Sequence, residues 1–521
     1  MIARFARLLL LALPALAGNA SAQQPSLTYS IDLNHRADDR FKVTLAVSGL
    51  TAGNAVYQFA STAPGTYQVM NIGRFVRSFE AFDSRGRRVP VERVSVNQWR
   101  LSEAPRVRTI RYSVAETWDT KVERHPVYLM CGTSIEADHA LINPHAVIGY
   151  PTGLQAVPVR LRLAYPATWK AGTALKSAGK AGYLAESYDQ LVDSPILLGR
   201  LSEARVSVTG VPVEIYTYSK TDKIKSSQLL AAMDDMLQAA GRFLGKLPVD
   251  RYTFLYHFED QSGGAWEHSL SSEYVLKESE FTDSVGQYVT DIAAHEFFHI
   301  VTPLNLHSEV IERFNFVTPV PSQHLWLYEG TTEWAAHAMQ LRSGLKSPDD
   351  YLATIIQKMS IDRSAFDSTY SLRELALTSY SDSGQKQYAN IYMRGALTAG
   401  LLDIRLLELS HGRRGLQDVI GELTRRYGKQ RAFPESSFVD TVVAMTYPEI
   451  RDFFGRYVWE SEKLPIEEYY AKLGIRLIED PEGRPVRFEM DSNPTPGQLR
   501  LRDAWLGRKP AEPAGGEPPG S

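Results

Sequence analysis

The chain has 521 residues, of which 44% are apolar and 22% are charged, and its formal net charge is −3. This length is enough for two or three globular domains. The chain has no basic excess to neutralise phosphates, which argues against a nucleic-acid partner. Cys131 is the only cysteine, so no intramolecular disulfide can form. A lone thiol is more often a small buried apolar group than a nucleophile.

Residues 1–22 have the features of a secretory signal peptide. A start that contains Arg4 and Arg7 precedes an apolar run from Leu8 to Ala17, and Ala20-Ser21-Ala22 provides a cleavage site of small residues. The run is shorter than a typical membrane span. No cysteine follows it to carry a lipid anchor. We therefore expect a periplasmic or secreted protein without stable membrane insertion.

Residues 25–205 predict an N-terminal β domain. Phe41, Val43, Leu45 and Val47 alternate with less apolar residues, as in a strand with one buried face. Residues 109–114 and 157–163 predict further strands, and no long amphipathic helix interrupts the region. A β-sandwich or a saddle-like β domain is the simplest interpretation. Within it, Pro64-Gly65-Thr66-Tyr67 predicts a turn, to which we assign no catalytic role.

The pattern changes after residue 222. Residues 229–243 carry apolar side chains at helical spacing, and residues 253–258 predict a strand. Gly263 and Gly264 follow in a loop, and adjacent glycines let backbone approach a ligand closely. An acidic side chain there, such as Glu267, could bind the free amine of a peptide. A plain surface loop is the alternative interpretation.

The most informative stretch is His295-Glu296-Phe297-Phe298-His299, for which we predict a helix with Ser284 as its N-cap. Two histidines four residues apart lie on one face of a helix and can hold one tetrahedral Zn²⁺. Glu296 is rotated by roughly 100° from His295, beside the metal, where it can take a proton from water. This is the H-E-x-x-H pattern of zinc peptidases. A buried amphipathic helix with satisfied histidines is the competing interpretation.

The third metal ligand must come from beyond Pro303, which stops regular helix. We expect a second helix with Ser322 near its start, and Glu329 on it is the favoured ligand. Glu333 lies one turn further along, where it can hydrogen-bond the outer nitrogen of a ligating histidine. Glu309, His324 and Glu333 itself remain alternatives as ligand, and we expect His337 to be structural.

Several segments together resemble the glycyl aminopeptidase-like metallopeptidases, a gluzincin family related to the aminopeptidase N group. The segments that carry the resemblance are Gly263-Gly264-Ala265-Trp266-Glu267-His268, His295-Glu296-Phe297-Phe298-His299, Leu325-Trp326-Leu327-Tyr328-Glu329-Gly330-Thr331-Thr332-Glu333 and Tyr392-Met393-Arg394-Gly395. Pro64-Gly65-Thr66-Tyr67 and Leu191-Val192-Asp193-Ser194-Pro195-Ile196 look like signatures of the family's N-terminal domain. The similarity runs from roughly residue 30 to 475.

The resemblance implies an α+β architecture in which the β domain precedes a thermolysin-like zincin catalytic domain with a mainly α-helical C-terminal half. We place the catalytic domain at 206–345 and its helical part at 346–475. Residues 476–521 are expected to form a short tail, disordered from about 507 and too short for the C-terminal PDZ domain of many members.

The resemblance also implies roles for single residues. His295, His299 and Glu329 would bind zinc, and Glu296 would act as base. Glu267 would anchor the α-amine of the substrate, and Tyr392 would donate to the oxyanion. Arg394 is a departure, since the family usually has lysine there.

These observations predict an exported zinc aminopeptidase that acts on peptides, with small residues such as Gly or Ala preferred at the N-terminus. An endopeptidase on the same scaffold and a catalytically retired peptide-binding envelope protein are the alternatives. The oligomeric state cannot be predicted from the sequence.

Overall fold

A computed structural model of the protein describes residues 25–429 and 431–508. The predicted signal peptide and the tail from residue 509 lie outside the described residues. Among the helices that the structure describes, none combines the length and the apolar character needed to cross a membrane.

The N-terminal part consists almost entirely of strands. They are β1 (Ser26–Asp32), β2 (Arg40–Ser48), β3 (Val56–Gln58), β4 (Val76–Asp83), β5 (Arg88–Val89), β6 (Val91–Arg93), β7 (Gln98–Leu101), β8 (Val107–Ala115), β9 (Ser134–Ile135), β10 (His139–Ile142), β11 (Tyr150–Pro151), β12 (Val159–Ala164), β13 (Lys170–Thr173), β14 (Lys176–Ser177), β15 (Tyr183–Ala185) and β16 (Ile196–Gly199). Short 3₁₀ turns and one short helix connect them. The 3₁₀ turns are Ala52–Asn54, Ile72–Phe75, Ala104–Arg106, Leu129–Cys131, Pro144–Ala146 and Gly179–Ala181, and the helix is α1 (Tyr188–Val192).

These strands form one large sheet and two smaller ones. The large sheet has the order β14-β15-β12-β1-β2-β8-β4-β5, and the smaller ones have the orders β13-β16-β10-β9 and β11-β3-β7-β6. The alternation predicted for residues 41–47 is seen in β2, where every second side chain is buried. Such alternation lets one face of a sheet cover a core while the other meets solvent.

A second sheet region begins with β17 (Ser202–Val208), β18 (Val211–Ser219), β19 (Tyr252–Glu259), β20 (Gly264–His268) and β21 (Ser271–Lys277). Its strand order is β17-β18-β19-β21-β20, so β20 is an edge strand that pairs antiparallel with β21. The predicted boundary between residues 205 and 206 falls inside β17. That strand pairs with β18 throughout and therefore belongs to the second sheet.

The remainder is mainly helical. The α-helices are α2 (Ser226–Leu244), α3 (Asp283–Phe298), α4 (Glu309–Glu312), α5 (Thr331–Ser343), α6 (Pro348–Ala365), α7 (Leu372–Leu377), α8 (Asp382–Gln387), α9 (Asn390–Leu409), α10 (Leu416–Arg426), α11 (Phe438–Met445), α12 (Ile450–Phe454) and α13 (Ile466–Ala471). Two π-helical turns cover Trp326–Gly330 and Gly455–Trp459. A β-rich N-terminal domain followed by a helical C-terminal half confirms the predicted α+β fold class.

The segment expected to be a short tail is folded up to residue 505. It forms the hairpin β22 (Ile475–Glu479) and β23 (Pro485–Met490) and the helix α14 (Pro496–Trp505). Trp505 is buried against the ring of Tyr351, at 5.5 Å between centroids. Burial of a large aromatic ring contributes about 2–3 kcal/mol, which holds the segment on the helical half.

Each domain inserts aromatic side chains into the core of the other. Tyr67 of the N-terminal domain packs within the core of the second domain. Trp266 of β20 and Phe316 pack within the N-terminal core. The candidate active site lies where the two domains insert these side chains into each other.

Candidate active site

Helix α3 presents two histidines on one face. Thr282, and not Ser284, is its N-cap, and the Thr282 hydroxyl accepts a hydrogen bond from the Val285 N–H at 3.3 Å. His295 lies in the last turn and His299 caps the helix in a right-handed helical conformation. The two rings therefore lie on the same face, with centroids 4.8 Å apart.

Glu329 reaches these rings from the π-helical turn Trp326–Gly330 that precedes α5. The expected helix with Ser322 near its start begins instead at this turn, since residues 322 and 323 lie outside any helix. A π turn inserts an extra residue into a helix, re-aims the side chains that follow, and is frequent at functional sites. Here it directs the Glu329 carboxylate toward α3.

The three donor atoms form a nearly equilateral triangle. His295 Nε2 lies 3.1 Å from His299 Nε2, and Glu329 Oε2 lies 3.5 Å and 3.4 Å from these two nitrogens. A tetrahedral zinc ion with bonds of about 2.0–2.1 Å keeps its ligand atoms about 3.3 Å apart. The spacing thus fits a small divalent metal with no rearrangement larger than a few tenths of an ångström.

The outer ring nitrogens determine where the lone pairs point. His299 Nδ1 lies 2.9 Å from the Thr302 carbonyl oxygen, which can only accept, so Nδ1–H donates and Nε2 carries the lone pair. His295 Nδ1 lies 2.7 Å from Glu333 Oε2 and donates in the same way. When both imidazoles are neutral, their lone pairs and that of the carboxylate therefore converge on one point, and a metal cation there satisfies all three acceptors.

Glu333 is itself held in place by cations and donors. Lys358 Nζ contacts its Oε1, and His337 Nε2 lies 3.2 Å from the same oxygen. Burial raises the pKa of Glu333, but Lys358, His295 and His337 outweigh it and hold the pKa well below its usual value. An ionised Glu333 fixes the ring of His295, as the outer partners of metal-binding histidines do.

The site is strongly negative. Burial raises the pKa of Glu329, but the two histidines outweigh it and lower the pKa to about 2. Burial lowers the pKa of His299, but Glu329 and Glu267 outweigh it and raise the pKa to about 9. The carboxylates therefore favour a positive charge at the centre of the triangle.

Two further acids face this centre. Glu267, Glu296 and His299 bring one donor atom each within 4.8 Å of one another. Glu296 Oε2 is buried and has no hydrogen-bond partner, so it is available to a ligand. Burial, opposed by His299 and reinforced by Glu329, raises the pKa of Glu267 to about 8.

Tyr392 lies beside the imidazoles. Its ring centroid is 5.5 Å from that of His295, and its hydroxyl is 3.2 Å from the hydroxyl of Tyr388. Burial, reinforced by Glu329, raises the pKa of Tyr392 well above its usual value. The hydroxyl is protonated at neutral pH and is a hydrogen-bond donor.

Our interpretation of Pro64-Gly65-Thr66-Tyr67 as a plain turn missed its position in the site. The Tyr67 hydroxyl lies 3.4 Å from Glu329 Oε1, although the two residues are 262 positions apart. A Cβ added at Gly65 would lie 2.6 Å from Glu267 Oε1, and Gly65 has a φ of +74°, so only glycine fits there. The turn thus lies against both acids, and nothing in its local sequence indicated this.

Other predicted residues lie elsewhere. The Glu309 carboxylate accepts from the Glu435 N–H at 2.6 Å, and His324 Nε2 lies 2.8 Å from the Glu435 carbonyl oxygen. Neither side chain is in the ligand triangle, which leaves Glu329 as the third member. Arg394 is buried, and its Nε–H donates to Asp362 Oδ1 at 3.1 Å. Its guanidinium group therefore connects α9 to α6.

Each of the two glycines of the predicted loop satisfies a different structural constraint. A Cβ at Gly263 would lie 2.5 Å from Leu129 Cβ, and Gly264 has a φ of +99°. Packing against the N-terminal domain accounts for Gly263. Their contact with a substrate stays a prediction.

Comparisons with known proteins agree with this architecture. Residues 28–200 match the peptidase M61 N-terminal domain, and residues 288–398 match the M61 glycyl aminopeptidase. A crystal structure of an aminopeptidase N family protein from Idiomarina loihiensis shares the fold, with a TM-score of 0.76 and 21% identity over 87% of this chain and 79% of that one. A comparison with curated proteins found no match.

The fold and the family matches define the protein as a peptidase. The two matched regions together span more than half of the sequence, and they contain both halves of the site, with Tyr67 in the first and His295, His299 and Glu329 in the second. The chain belongs to the M61 glycyl aminopeptidase family.

Proposed function

We propose that the protein is an exported zinc-dependent aminopeptidase that removes small N-terminal residues from peptides. The observation that carries this proposal is the convergence of three lone pairs, from His295, His299 and Glu329, at the spacing that zinc requires. The sequence of residues 1–22 supports export.

Zinc held by these three residues would supply Lewis acidity toward the scissile carbonyl and toward the attacking water. Glu296 is suited to take a proton from that water at its unpartnered Oε2 and to transfer it to the leaving amine. The protonated Tyr392 hydroxyl donates a hydrogen bond to the developing oxyanion, a contribution of about 3 kcal/mol for such donors.

Charge balance favours a free amine in the substrate. Three carboxyl groups, from Glu267, Glu296 and Glu329, lie around the centre. A divalent cation there would favour their ionised forms and would offset two of the three charges. The remaining negative charge matches the ammonium group of a peptide N-terminus. Glu267, on the edge strand β20, is the acid suited to accept hydrogen bonds from that group.

The turn that contains Gly65 and Tyr67 favours cleavage at the chain end. It lies against Glu267 and Glu329, and a turn beside the acid proposed to bind the amine would limit extension of a substrate past that amine. Tyr67, Trp266 and Tyr380 line the adjoining pocket. A pocket lined by these rings and by that of Phe314 favours a small first side chain.

The test is the variant Glu296→Gln, assayed with an aminoacyl amide and analysed for zinc. We expect zinc content to stay the same and turnover to fall by about 10²–10⁴-fold, because only the proton acceptor is lost. Glu312→Gln, an exposed carboxylate on α4, is the matched control and should keep normal turnover. Near-normal activity in Glu296→Gln would refute the assignment of the base.

A paired substrate experiment separates aminopeptidase from endopeptidase action. The free dipeptide amide should be cleaved and its N-acetylated form should not, since acetylation removes the charge that Glu267 binds. Equal cleavage of both forms would support an endopeptidase. Purified protein that contains no metal and has no chelator-sensitive activity would support a retired binding protein.

A further inference from the structure

A second group of potential metal ligands lies away from the active site, between the two domains. His139 is the first residue of β10 in the N-terminal domain, and His257 and Glu259 lie on β19 of the second sheet. Since alternate residues of a strand point to the same face, His257 and Glu259 both face β10. One donor atom from each of the three residues lies within 4.8 Å of the other two.

Three of the four ring nitrogens of this group lack partners. His139 and His257 are 2% and 1% exposed, and His139 Nε2 and both ring nitrogens of His257 have no hydrogen bond. A buried polar atom without a partner destabilises the folded chain. His139 Nε2 and one of the His257 nitrogens can face the same ion, which would supply each of them with a partner.

Neighbouring residues fix the direction of the donors. Asp138 Oδ1 lies 2.9 Å from His139 Nδ1, which donates to it, so the lone pair of His139 is on Nε2. That Nε2 is 3.4 Å from Glu259 Oε1, and His257 Nε2 is 3.9 Å from the same oxygen. Lys220 Nζ holds the other oxygen of Glu259 at 3.1 Å and leaves Oε1 facing the imidazoles.

Aromatic rings enclose the two histidines. The Tyr218 ring stacks on His139 with centroids 3.8 Å apart, and the Trp118 ring stacks on His257 at 5.0 Å. These contacts restrict both imidazoles to one orientation. The rings also exclude water, which strengthens any charge interaction inside the cluster.

We propose that His139, His257 and Glu259 bind a second metal ion, Zn²⁺ or a similar divalent transition metal, which joins the two domains. Two imidazoles and one carboxylate are a ligand set that zinc prefers, and the separations of 3.4 Å and 3.9 Å approach the spacing of about 3.3 Å in a tetrahedral site. Asp138 on the outer nitrogen of His139 supplies the supporting carboxylate. Asp260, at 2.6 Å from Lys220 Nζ, offsets the charge of that ammonium.

The ion would stabilise the contact between the two domains. Its ligands come from both domains, so an ion that binds the docked arrangement more tightly than the separated one stabilises the docked arrangement. The alternative is an aromatic cluster that contains the two histidines and binds no ion.

The test measures bound metal in a chain whose active site cannot bind it. Untagged protein with His295→Ala and Glu329→Ala is incubated with excess ZnCl₂, desalted and analysed for zinc. We expect one equivalent per chain, and we expect none after the further change Glu259→Gln, which preserves the volume of the side chain. No retained zinc in the first protein overturns the proposal.

A second measurement keeps the proposal testable if the active-site variants fold poorly. The natural chain should take up two equivalents of zinc, and Glu259→Gln alone should take up one and lose part of the rise in Tm that zinc produces. Peptidase turnover of Glu259→Gln should stay within about twofold of normal, because Glu259 is not in the active site. One equivalent in both proteins, with the same zinc-dependent Tm, would contradict the second site.

Discussion

Single residues determine where the lone pairs of the active site point. The Thr302 carbonyl and the Glu333 carboxylate each occupy the outer nitrogen of one histidine, so both inner nitrogens are free for a ligand. Tyr67 is an outer partner of Glu329 in the same way. Glu329 Oε2 faces the imidazoles, while Oε1 lies 3.4 Å from the Tyr67 hydroxyl, at the long end of the hydrogen-bond range.

We predict that Tyr67→Phe weakens metal binding. Loss of the hydroxyl frees Oε1 and lets the Glu329 carboxylate rotate, and loss of an outer partner typically costs about 10–100-fold in metal affinity or activity. Competition with a chelator measures the affinity, and kcat/KM on a dipeptide amide measures the activity.

Tyr188→Phe is the control for the loss of a buried tyrosine hydroxyl. Its hydroxyl donates to the Ile148 carbonyl oxygen at 2.8 Å within the N-terminal domain. This variant should lower the free energy of unfolding by about 1 kcal/mol without changing metal affinity. Equal metal affinity in both variants would show that Tyr67 only packs.

At the scale of elements, two glycines bring Glu329 and Tyr392 together. Gly330 ends the π-helical turn that carries Glu329, and Gly395 lies on α9, less than one turn after Tyr392. A Cβ added at Gly395 would lie 2.8 Å from Gly330 Cα, so the two backbones touch. Their close approach fixes the distance between the carboxylate and the phenol.

We predict that Gly395→Ala disturbs both side chains. The added methyl group must push the turn away from α9, and overpacking of this kind costs about 1–3 kcal/mol. Chemical denaturation should report that loss, and both metal affinity and kcat should fall.

Gly400→Ala in the same helix is the matched control. Its added Cβ would meet Trp334 Cδ1 at 3.6 Å, an ordinary contact, and alanine favours a helix over glycine by about 1 kcal/mol. It should be neutral or stabilising, with normal activity. A Gly395→Ala protein that behaves like Gly400→Ala would mean that the spacing between the two elements can relax.

Contacts within one element could be predicted from the sequence, whereas contacts between distant elements could not. The pairs His295 with His299 and Glu329 with Glu333 are each one turn apart, so local spacing indicated that the members of each pair share a face. The contact of Tyr67 with Glu329 spans 262 positions and has no local pattern. The segment after residue 475 was predicted as a short tail, although it carries signals of structure, including Thr495 as N-cap followed by Pro496.

At the scale of the whole molecule, one buried carboxyl makes stability depend on pH. Glu116 is 2% exposed, its Oε1 accepts from the Asp119 N–H at 2.8 Å, and its Oε2 has no partner. Burial raises the pKa of Glu116 to about 8 from its ordinary value of 4.5. The folded chain therefore keeps a proton between these two pH values that the unfolded chain releases.

We predict that this proton contributes a decrease in the free energy of unfolding as the pH rises from 4.5 to 8. A single retained proton gives a slope of about 1.4 kcal/mol per pH unit. Glu116→Gln removes this contribution, so its free energy of unfolding should fall less steeply over this pH range and should exceed that of the natural chain at pH 8, as measured by urea unfolding. Glu123→Gln, an exposed acid in the same region, should follow the natural chain, and parallel curves for all three proteins would refute the role of Glu116.

The turn from Pro64 to Tyr67 has a consequence for how the enzyme matures. Its residues are synthesised long before the helices that carry the imidazoles, and they reach the catalytic centre only when the β-rich half has docked. A chain that has folded one half alone lacks the wall behind Glu267 and the hydroxyl beside Glu329. Peptidase activity therefore depends on complete folding, so a partly folded copy should cleave few of the proteins around it.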